Sequence, residues 1–356
     1  MIDLHGLDLI LRDMSTSHSD NFDFLRFVAA VMVWYEHCYA LYGHIADTIT
    51  GQIPFGALGV GIFFIISGYF VTASYQNHRR LWPFIRNRAL RILPALFIVV
   101  LLSVFVLGPC VTSLSTHDYF QHNETWGYLK SLLIFPLQYN LPGVFTNQPL
   151  IAVNGSLWTL QYEVRCYAAV ALLGMLMILR PRVVLIIFIG LWLGRIYSMC
   201  ANIDLLPHIS LFDRWSWSKL ELSIHLNILF ASGALLYLAR ERIALKKEYF
   251  VLAVLVLLVS LTMQDTTGKL LSDIALPYII MYIGFAKLPL LSRFSKYGDF
   301  SYGMYLYAFP MQQLTFYMLG AHYRFITLVI VSFMLTLACA VTSWYCIEKP
   351  ALSLKK

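Results

Sequence analysis

Apolar segments long enough to cross a bilayer recur along the whole chain of 356 residues, and they constrain the fold more than any other feature. A helix needs about 20 apolar residues to cross about 30 Å of hydrocarbon. The candidate spans are residues 24–43, 55–75, 89–109, 157–179, 183–199, 222–240, 249–263, 270–288, 302–320 and 325–347. With 59% hydrophobic and 13% charged residues, the chain has too few polar groups to cover a soluble globule. The sequence therefore predicts an all-α, polytopic membrane helix bundle with about ten transmembrane helices.

The distribution of basic residues predicts the orientation of this bundle. If the N-terminus is cytoplasmic, 18 of the 26 Lys and Arg residues fall in the inner segments and only five fall in the outer segments. This asymmetry follows the positive-inside rule and places both termini in the cytoplasm. The net charge of +7 is then a topology signal, and no nucleic-acid partner is expected.

The ends and loops of the chain indicate a single membrane domain over residues 1–356. Residues 1–20 show no cleavable signal and are expected to form a cytoplasmic N-terminal segment. The longest polar stretch, residues 110–156, is expected outside, and Pro136 and Pro142 within it favour a re-entrant or interfacial segment over another crossing.

The six cysteines show no spacing typical of a metal site, so no metal is predicted. Cys110 and Cys200 fall near the expected outer face. They are interpreted as either a disulfide or unpaired thiols, and the unpaired state is preferred.

The first predicted span carries charged side chains that hydrocarbon disfavours. Arg26 and His37 are eleven residues apart, which is about 16 Å along a helix and leaves them roughly 20° apart around its axis. They therefore share one face. Arg26 could also reach the membrane border and pair with Asp23, and His37 could be an interior histidine satisfied by a hydrogen bond.

Five further stretches follow the first span and give the chain a family resemblance. They are "GVGIFFIISGYF" at 59–70, "FIRNRALRILPAL" at 84–96, "NGSLWTLQYEVRCY" at 154–167, "FSYGMYLYAFP" at 300–310 and "IEKPA" at 347–351. Together with the arginine, ten residues and histidine of the first span, they resemble the bacterial acyltransferase-3 family. Members of this family are integral membrane enzymes that O-acylate cell-surface polysaccharides and related glycans.

The resemblance implies a reaction, its partners and a cellular location. An acyl group, by resemblance acetyl, passes from cytoplasmic acyl-CoA to a hydroxyl of a surface polysaccharide, such as exopolysaccharide or lipopolysaccharide, or of a lipid-linked glycan. Acetyl-CoA is then a co-substrate, and no permanently bound cofactor is expected. The location implied is the bacterial inner membrane. His37 matches the family histidine and is the expected general base.

Arginines are expected to bind the phosphates of the donor. Arg86, Arg88 and Arg91 lie at the cytoplasmic start of the third predicted helix, and Arg26 lies near the same side of the membrane. Guanidinium groups suit phosphate geometry. The alternative is that the arginines of this loop only satisfy the positive-inside rule.

Glu163 is a second candidate catalytic residue. If the fourth predicted helix enters from the outside, Glu163 lies about 9 Å below the outer surface, at the depth expected of His37. It could orient the imidazole or hold the acceptor. The competing interpretation is a structural glutamate that is paired with Arg165 or Arg195.

Two aromatic residues in the resembling stretches are candidates for acceptor binding. Trp158 could stack on a sugar or belong to the interfacial aromatic belt, and Tyr305 lies in the 300–310 stretch. Ser67 is interpreted, with Gly59, Gly61 and Gly68, as a site of close helix packing.

One position departs from the family pattern. Many relatives have a histidine in a Tyr-Leu-x-His-x-Pro pattern, where this chain has Ala308. Because a single general base suffices, His37 is expected to act without it.

Another class of function fits the intramembrane charges. A multi-pass transporter would use Arg, Glu and His as a substrate or proton path, but it would be expected to show matching halves, and the sequence shows none. A protein that binds a lipid-linked glycan without catalysis is a third alternative.

Overall fold

The computed structural model describes residues 21–42, 48–49, 53–201, 220–263, 266–320 and 324–355. Within these ranges, ten helices have 16 or more residues, and each overlaps one of the ten predicted spans. They are α1 Asn21–Leu41, α2 Phe55–His78, α3 Leu81–Leu102, α4 Leu160–Met175, α5 Pro181–Ala201, α6 Leu220–Leu238, α7 Lys247–Thr262, α8 Thr266–Phe285, α9 Ser301–Leu319 and α10 Phe325–Ser343. A two-stranded hairpin, β1 Thr48–Ile49 and β2 Ile53–Pro54, precedes α2. The predicted N-terminal segment, residues 1–20, lies outside the described residues.

Six of the described helices are long and apolar enough to cross a membrane, namely α2, α3, α5, α6, α8 and α10. In two of them, a π-helical turn leads into one further helical turn. Residues Ser103–Leu107 and Gly108–Val111 extend α3 in this way, and Trp344–Glu348 and Lys349–Ser353 extend α10. The prediction of a helical membrane protein is thus confirmed. A count of ten crossings stays a prediction.

The packing of α2 depends on glycines. A Cβ atom on Gly59 would collide with the carbonyl oxygen of Ala29 in α1, and one on Gly68 would collide with the carbonyl oxygen of Phe230 in α6. Small residues allow such close approach of membrane helices. The helix-packing interpretation of these two glycines is therefore confirmed, and α2 lies between α1 and α6.

The segment between α3 and α4 follows an irregular path. It contains two short helices, Thr116–Gln121 and Asn123–Tyr128, a 3₁₀ turn at Leu129–Leu133 and another at Gly155–Thr159 that leads into α4. Whether it lies in the membrane as a re-entrant segment stays a prediction.

The last part of this segment runs along α9 into the bundle. Gln313 donates to the carbonyls of Leu150 and Ala152 at 2.7 and 2.6 Å, and Asn154 donates to the carbonyl of Leu306 at 2.9 Å. These side chains satisfy backbone groups where the helical pattern is absent, as buried irregular backbone requires. Because the chain has already descended along α9, α4 begins deep inside the bundle.

Segments that were predicted to be cytoplasmic gather at one end of the bundle. Asn21 at the start of α1 donates to the carbonyl of Ala286, just after α8, at 2.6 Å. Gln76 near the end of α2 donates to the carbonyl of Leu179, just after α4, at 3.0 Å. We call this the N-terminal end of the bundle, since α1 begins there. Which side of the membrane it faces stays a prediction.

Candidate active site

A cavity of about 520 Å³ lies inside the bundle and reaches its N-terminal end. Its wall combines aromatic rings with charged and hydroxyl side chains. The polar and charged lining residues are Asp23, Arg26, Ser67, Arg88, Arg91, Thr159, Glu163, Tyr167, Asp299, Ser301, Tyr302, Tyr305 and Lys355. They come from α1, α2, α3, α4, α9, the loops beside them and, for Lys355, the segment after the extension of α10. The cavity thus joins residues from most of the resembling stretches in the sequence.

Ion pairs organise the charged end of the cavity. Arg91 Nη2 lies 2.5 Å from Asp299 Oδ2, and Arg26 Nη1 lies 2.9 Å from Asp23 Oδ1 and 4.0 Å from Asp299 Oδ2. Burial raises the pKa of the Asp299 carboxyl, but Arg91, Arg26 and the hydrogen bonds from Ser301 together lower it more strongly, so that the pKa lies below its usual value. Asp299 therefore stays ionised and holds the two arginines in place.

A glycine shapes the loop that presents Asp299. Gly298 has a φ of 122°, a conformation that other residues rarely adopt. A Cβ atom there would also collide with the indole of Trp344. The loop between α8 and α9 can therefore approach the extension of α10 closely, which directs the next residue towards the arginines.

Arg88 differs from its two arginine neighbours in the cavity. No carboxylate lies within ion-pair distance of it among the described residues. Its guanidinium lies 5.9 Å from the centre of the Tyr167 ring, and its Nε atom is buried without a hydrogen-bond partner in the described chain. Arg88 thus brings a positive charge to the cavity that no described acidic side chain neutralises by contact.

Arg86 does not line the cavity, although the sequence groups it with Arg88 and Arg91. At 100° per residue, Arg88 and Arg91 lie roughly 60° apart on α3, whereas Arg86 lies roughly 160° from Arg88. Helical geometry therefore brings two of the three predicted arginines together with Arg26 and turns the third away.

Glu163 lies in the wall of the cavity, deeper than expected. Its Oε1 atom accepts hydrogen bonds from the hydroxyl of Tyr167 and, at 3.4 Å, from that of Ser67 in the middle of α2. The predicted depth of about 9 Å assumed a span beginning near residue 157 at the outer surface. The chain instead descends along α9 before α4 begins.

The two arginines proposed as structural partners of Glu163 are engaged elsewhere. Arg165 lies over the rings of Phe135 and Tyr162, at 5.5 and 5.3 Å from their centres. Arg195 forms an ion pair with Asp273 of α8. The structure therefore contradicts the paired-glutamate interpretation. It also changes that of Ser67, which lines the cavity and contacts a carboxylate.

The two predicted acceptor contacts have different positions. Tyr305 lines the cavity, and its hydroxyl donates to the carbonyl of Ser156 at 2.5 Å and shares a hydrogen bond with Thr159 at 2.5 Å. Trp158 is not among the lining residues, and its ring packs against Tyr162 at 5.7 Å. Tyr305 thus links α9 to the start of α4 and forms part of the wall.

His37 lies beyond the inner end of the cavity and is not among its lining residues. Its ring packs against that of Phe309, with 5.1 Å between the centres. Phe309 follows Tyr305 by four residues on α9, which is one turn or about 6 Å. The structure therefore places Arg26 in the cavity wall and His37 beside Phe309, about one turn of α9 beyond the lining residue Tyr305, towards the opposite end of the bundle.

Within the described part of the chain, the Nδ1 atom of His37 lacks the hydrogen bond that a structural interior histidine would make. The atom is buried and has no hydrogen-bond partner among the described residues. A buried polar group without a partner needs an explanation, and a hydrogen bond to a substrate is one. Ala308, at the position of the common family histidine, packs against Trp34 and Cys38 of α1.

Sequence reasoning missed two charged residues of the cavity, Asp299 and Lys355. Asp299 directly precedes the 300–310 stretch, and this position was the available signal. Lys355 stands two residues beyond the end of the extension of α10, whose direction no local pattern reveals. Cys110 is a free, exposed cysteine, and the side chain of Cys200 lies outside the described residues, so the preference for unpaired thiols over a disulfide stays a prediction.

The comparison with protein families identifies the class of this protein. The family model described as an acyltransferase domain matches residues 19–345. The match covers most of the chain, so the protein belongs to this acyltransferase family and is an acyltransferase with membrane-spanning helices. The family resemblance predicted from the sequence is therefore confirmed.

Two relatives support this assignment. The chain is 32% identical over 349 residues to an O-acetyl transferase of Shigella phage Sf6, covering 93% of this chain and 96% of the relative. It is also 32% identical over 170 residues to nodulation protein 10 of Rhizobium leguminosarum bv. viciae, covering 45% of each chain. No solved structure matches the chain significantly.

Proposed function

We propose that this protein is a bacterial inner-membrane O-acetyltransferase. It transfers an acetyl group from cytoplasmic acetyl-CoA to a hydroxyl of a cell-surface polysaccharide or lipid-linked glycan. The relative named O-acetyl transferase, aligned over almost the whole chain, supports the choice of acetyl transfer to oxygen. The cavity that joins a charged end to the neighbourhood of His37 is the observation that carries the proposal.

The charged end of the cavity supports the choice of donor. Arg26, Arg88 and Arg91 converge there, and Arg88 has no described carboxylate partner. Phosphates suit such a site because guanidinium groups bind them through charge-assisted hydrogen bonds. The aromatic wall, which includes Phe63 and Phe70, suits the less polar pantetheine arm.

The distance between Arg26 and His37 supports the orientation that we propose for bound acetyl-CoA. Arg26 and His37 are separated by about 16 Å along α1, and the cavity covers much of this distance before it reaches Tyr305. With its phosphates at the arginines, the donor directs its thioester towards Phe309 and His37. The acceptor hydroxyl then approaches from the opposite end of the bundle.

The chemistry assigned to His37 is general-base catalysis. The acceptor hydroxyl oxygen attacks the thioester carbonyl carbon while His37 takes the hydroxyl proton. The new ester bond forms, the carbon–sulfur bond breaks, and the CoA thiolate leaves and takes up a proton. The unpartnered Nδ1 atom supports this role because an imidazole without described partners is available to a substrate. Glu163 and Tyr305 are proposed to contact the reacting groups from the cavity wall.

Replacing His37 tests the proposal. We expect His37→Ala to lower acetyl transfer by about 100 to 10,000-fold, as removal of a general base does. Acetyl transfer is measured by mass spectrometry of surface polysaccharide from cells that carry the wild-type protein, the variant or neither.

Two controls make the result interpretable. His78→Ala changes an exposed histidine at the end of α2, and it should leave transfer unchanged. CoA binding and thermal unfolding of purified His37→Ala should resemble the wild type, which separates a catalytic defect from misfolding. Near-normal acetylation by His37→Ala would rule out its role as the base, and absence of acetylation by the wild type would overturn the proposed function.

A further inference from the structure

Lys355 lines the cavity beside the arginines but lies outside the region that matches the family model. That region ends at residue 345, ten residues before Lys355. The side chain is half-buried. A lysine carries a compact charge on a flexible stem and binds phosphate as a point charge. The cavity thus receives a cation from a part of the chain that the family match does not include.

The extension of α10 holds Lys355 in this position. The π-helical turn Trp344–Glu348 and the turn that follows it pack against α3, which carries Arg88 and Arg91. Glu348 is buried and accepts a hydrogen bond from Ser343 at 2.9 Å. Tyr345 donates to the carbonyl of Tyr297 at 2.8 Å, next to the loop that presents Asp299. The C-terminal segment therefore contacts both α3 and the loop that presents Asp299, which are the two elements that carry the charged end of the cavity.

The charged groups around Lys355 favour the binding of an anion in the cavity. No carboxylate lies within ion-pair distance of its ammonium among the described residues. The other charged or titratable groups that line the cavity are Asp23, Arg26, Arg88, Arg91, Glu163, Tyr167, Asp299, Tyr302 and Tyr305. Burial, Arg88, Arg91 and Arg26, in this order, lower the pKa of Lys355 to about 8, and Asp299 opposes them. The cavity wall thus carries four cationic side chains and three carboxylates, and a bound anion would balance the excess positive charge.

We propose that Lys355 is a donor-binding residue that contacts the phosphates of acyl-CoA together with Arg88. This inference rests on the proposed function, since it takes acyl-CoA as the donor. It makes the C-terminal segment part of the binding site and gives the affinity for the donor a dependence on pH.

The direction in which CoA affinity changes with pH follows from the protonation of the Lys355 side chain. The ammonium form binds phosphate, and it is present below the pKa of Lys355 and lost as the pH rises through about 8. The guanidinium groups stay charged over this range. CoA affinity should therefore fall between pH 7 and pH 9.5 in the wild-type protein.

Binding of CoA to the purified full-length protein in detergent tests the proposal by calorimetry. At pH 7, Lys355→Ala should weaken CoA binding by about tenfold, as expected for the loss of one charge-assisted contact. Lys355→Arg should bind like the wild type at pH 7 and should keep its affinity at pH 9.5, because the arginine does not lose its proton. A merely structural role would not produce this change in the pH profile.

A matched control comes from the same segment. Lys349→Ala removes the same charge from an exposed position over the ring of Tyr345, outside the cavity, and it should leave CoA binding unchanged. Unchanged CoA affinity in Lys355→Ala, or an equal loss in Lys349→Ala, would overturn the role of Lys355 while the wild-type protein still binds CoA. If the wild-type protein does not bind CoA, the proposed function and this inference both fail.

Discussion

Two arginines on one turn of α3 differ in what their side chains can reach. Arg88 faces the cavity without a described carboxylate partner, and Arg86 points away from it. The two residues have the same chemistry and are separated by one position, so the direction imposed by the helix decides which one can bind a ligand. Arg91, one turn further, is already paired with Asp299.

Charge reversal at each position tests whether Arg88 contributes to CoA binding and Arg86 does not. We expect Arg88→Glu to weaken CoA binding by at least about tenfold, because it removes a charge-assisted contact and introduces repulsion. The remaining affinity should also depend less on salt, since one screened charge pair is lost. Affinity is measured by calorimetry at two ionic strengths.

Arg86→Glu is the matched control and should leave CoA affinity within about twofold of the wild type, since its side chain lies outside the cavity. An equal loss in both variants would mean that the arginines act only through the general charge of this end. No loss in either would remove Arg88 from the donor site.

At the scale of elements, a buried ion pair joins two helices away from the cavity. Arg195 of α5 pairs with Asp273 of α8, and both side chains are almost fully buried. His225 of α6 lies 3.0 Å from the same carboxylate. α5 exposes several large apolar side chains and packs mainly along α6, and this ion pair is its buried polar link to α8.

Removal of one partner should therefore destabilise the bundle. Asp273→Asn leaves the buried Arg195 without a counter-charge, and we expect a loss of roughly 3 kcal/mol in the free energy of unfolding. Thermal unfolding in detergent, compared with the wild type, measures this loss. Asp118→Asn, at an exposed position between α3 and α4, is the control and should not shift the midpoint. Equal midpoints for both variants would show that the pair does not hold α5 in place.

At the scale of the whole molecule, contacts between distant segments define two ends. The starts of α1 and α9 meet at one end through Arg26 and Asp299, and the end of α2 meets the loop after α4 there. The segment at 111–125 follows the far end of α3. The proposed donor site and the short helices after α3 thus belong to opposite ends of the bundle.

Labelling of single cysteines tests which side of the membrane each end faces. In a cysteine-free background, a cysteine at residues 180–182 should react only with reagent that reaches the cytoplasm, and a cysteine at 111–125 should react with impermeant reagent from outside. The reason is the excess of basic residues in the segments at the N-terminal end of the bundle. Reversed labelling would place the arginines on the wrong side for cytoplasmic acetyl-CoA.

Local properties of the sequence determined the class of protein and the positions of its long helices. Hydrophobicity and charge act residue by residue along a helix, so they predict where helices lie without knowledge of their neighbours. The sequence also identified Arg26, Arg88 and Glu163 as site residues, because they stand in short stretches that resemble a known family. The structure brings all three into one cavity.

Only the tertiary structure decided the depth and the composition of the site. Glu163 lies deep because residues 150–154 run along α9 before α4 begins, and hydrogen bonds to residues more than 150 positions away maintain that path. Lys355 enters the cavity because a π-helical turn carries the chain past α10 and against α3. Such contacts join segments that are distant in sequence, and no local pattern encodes which of them meet.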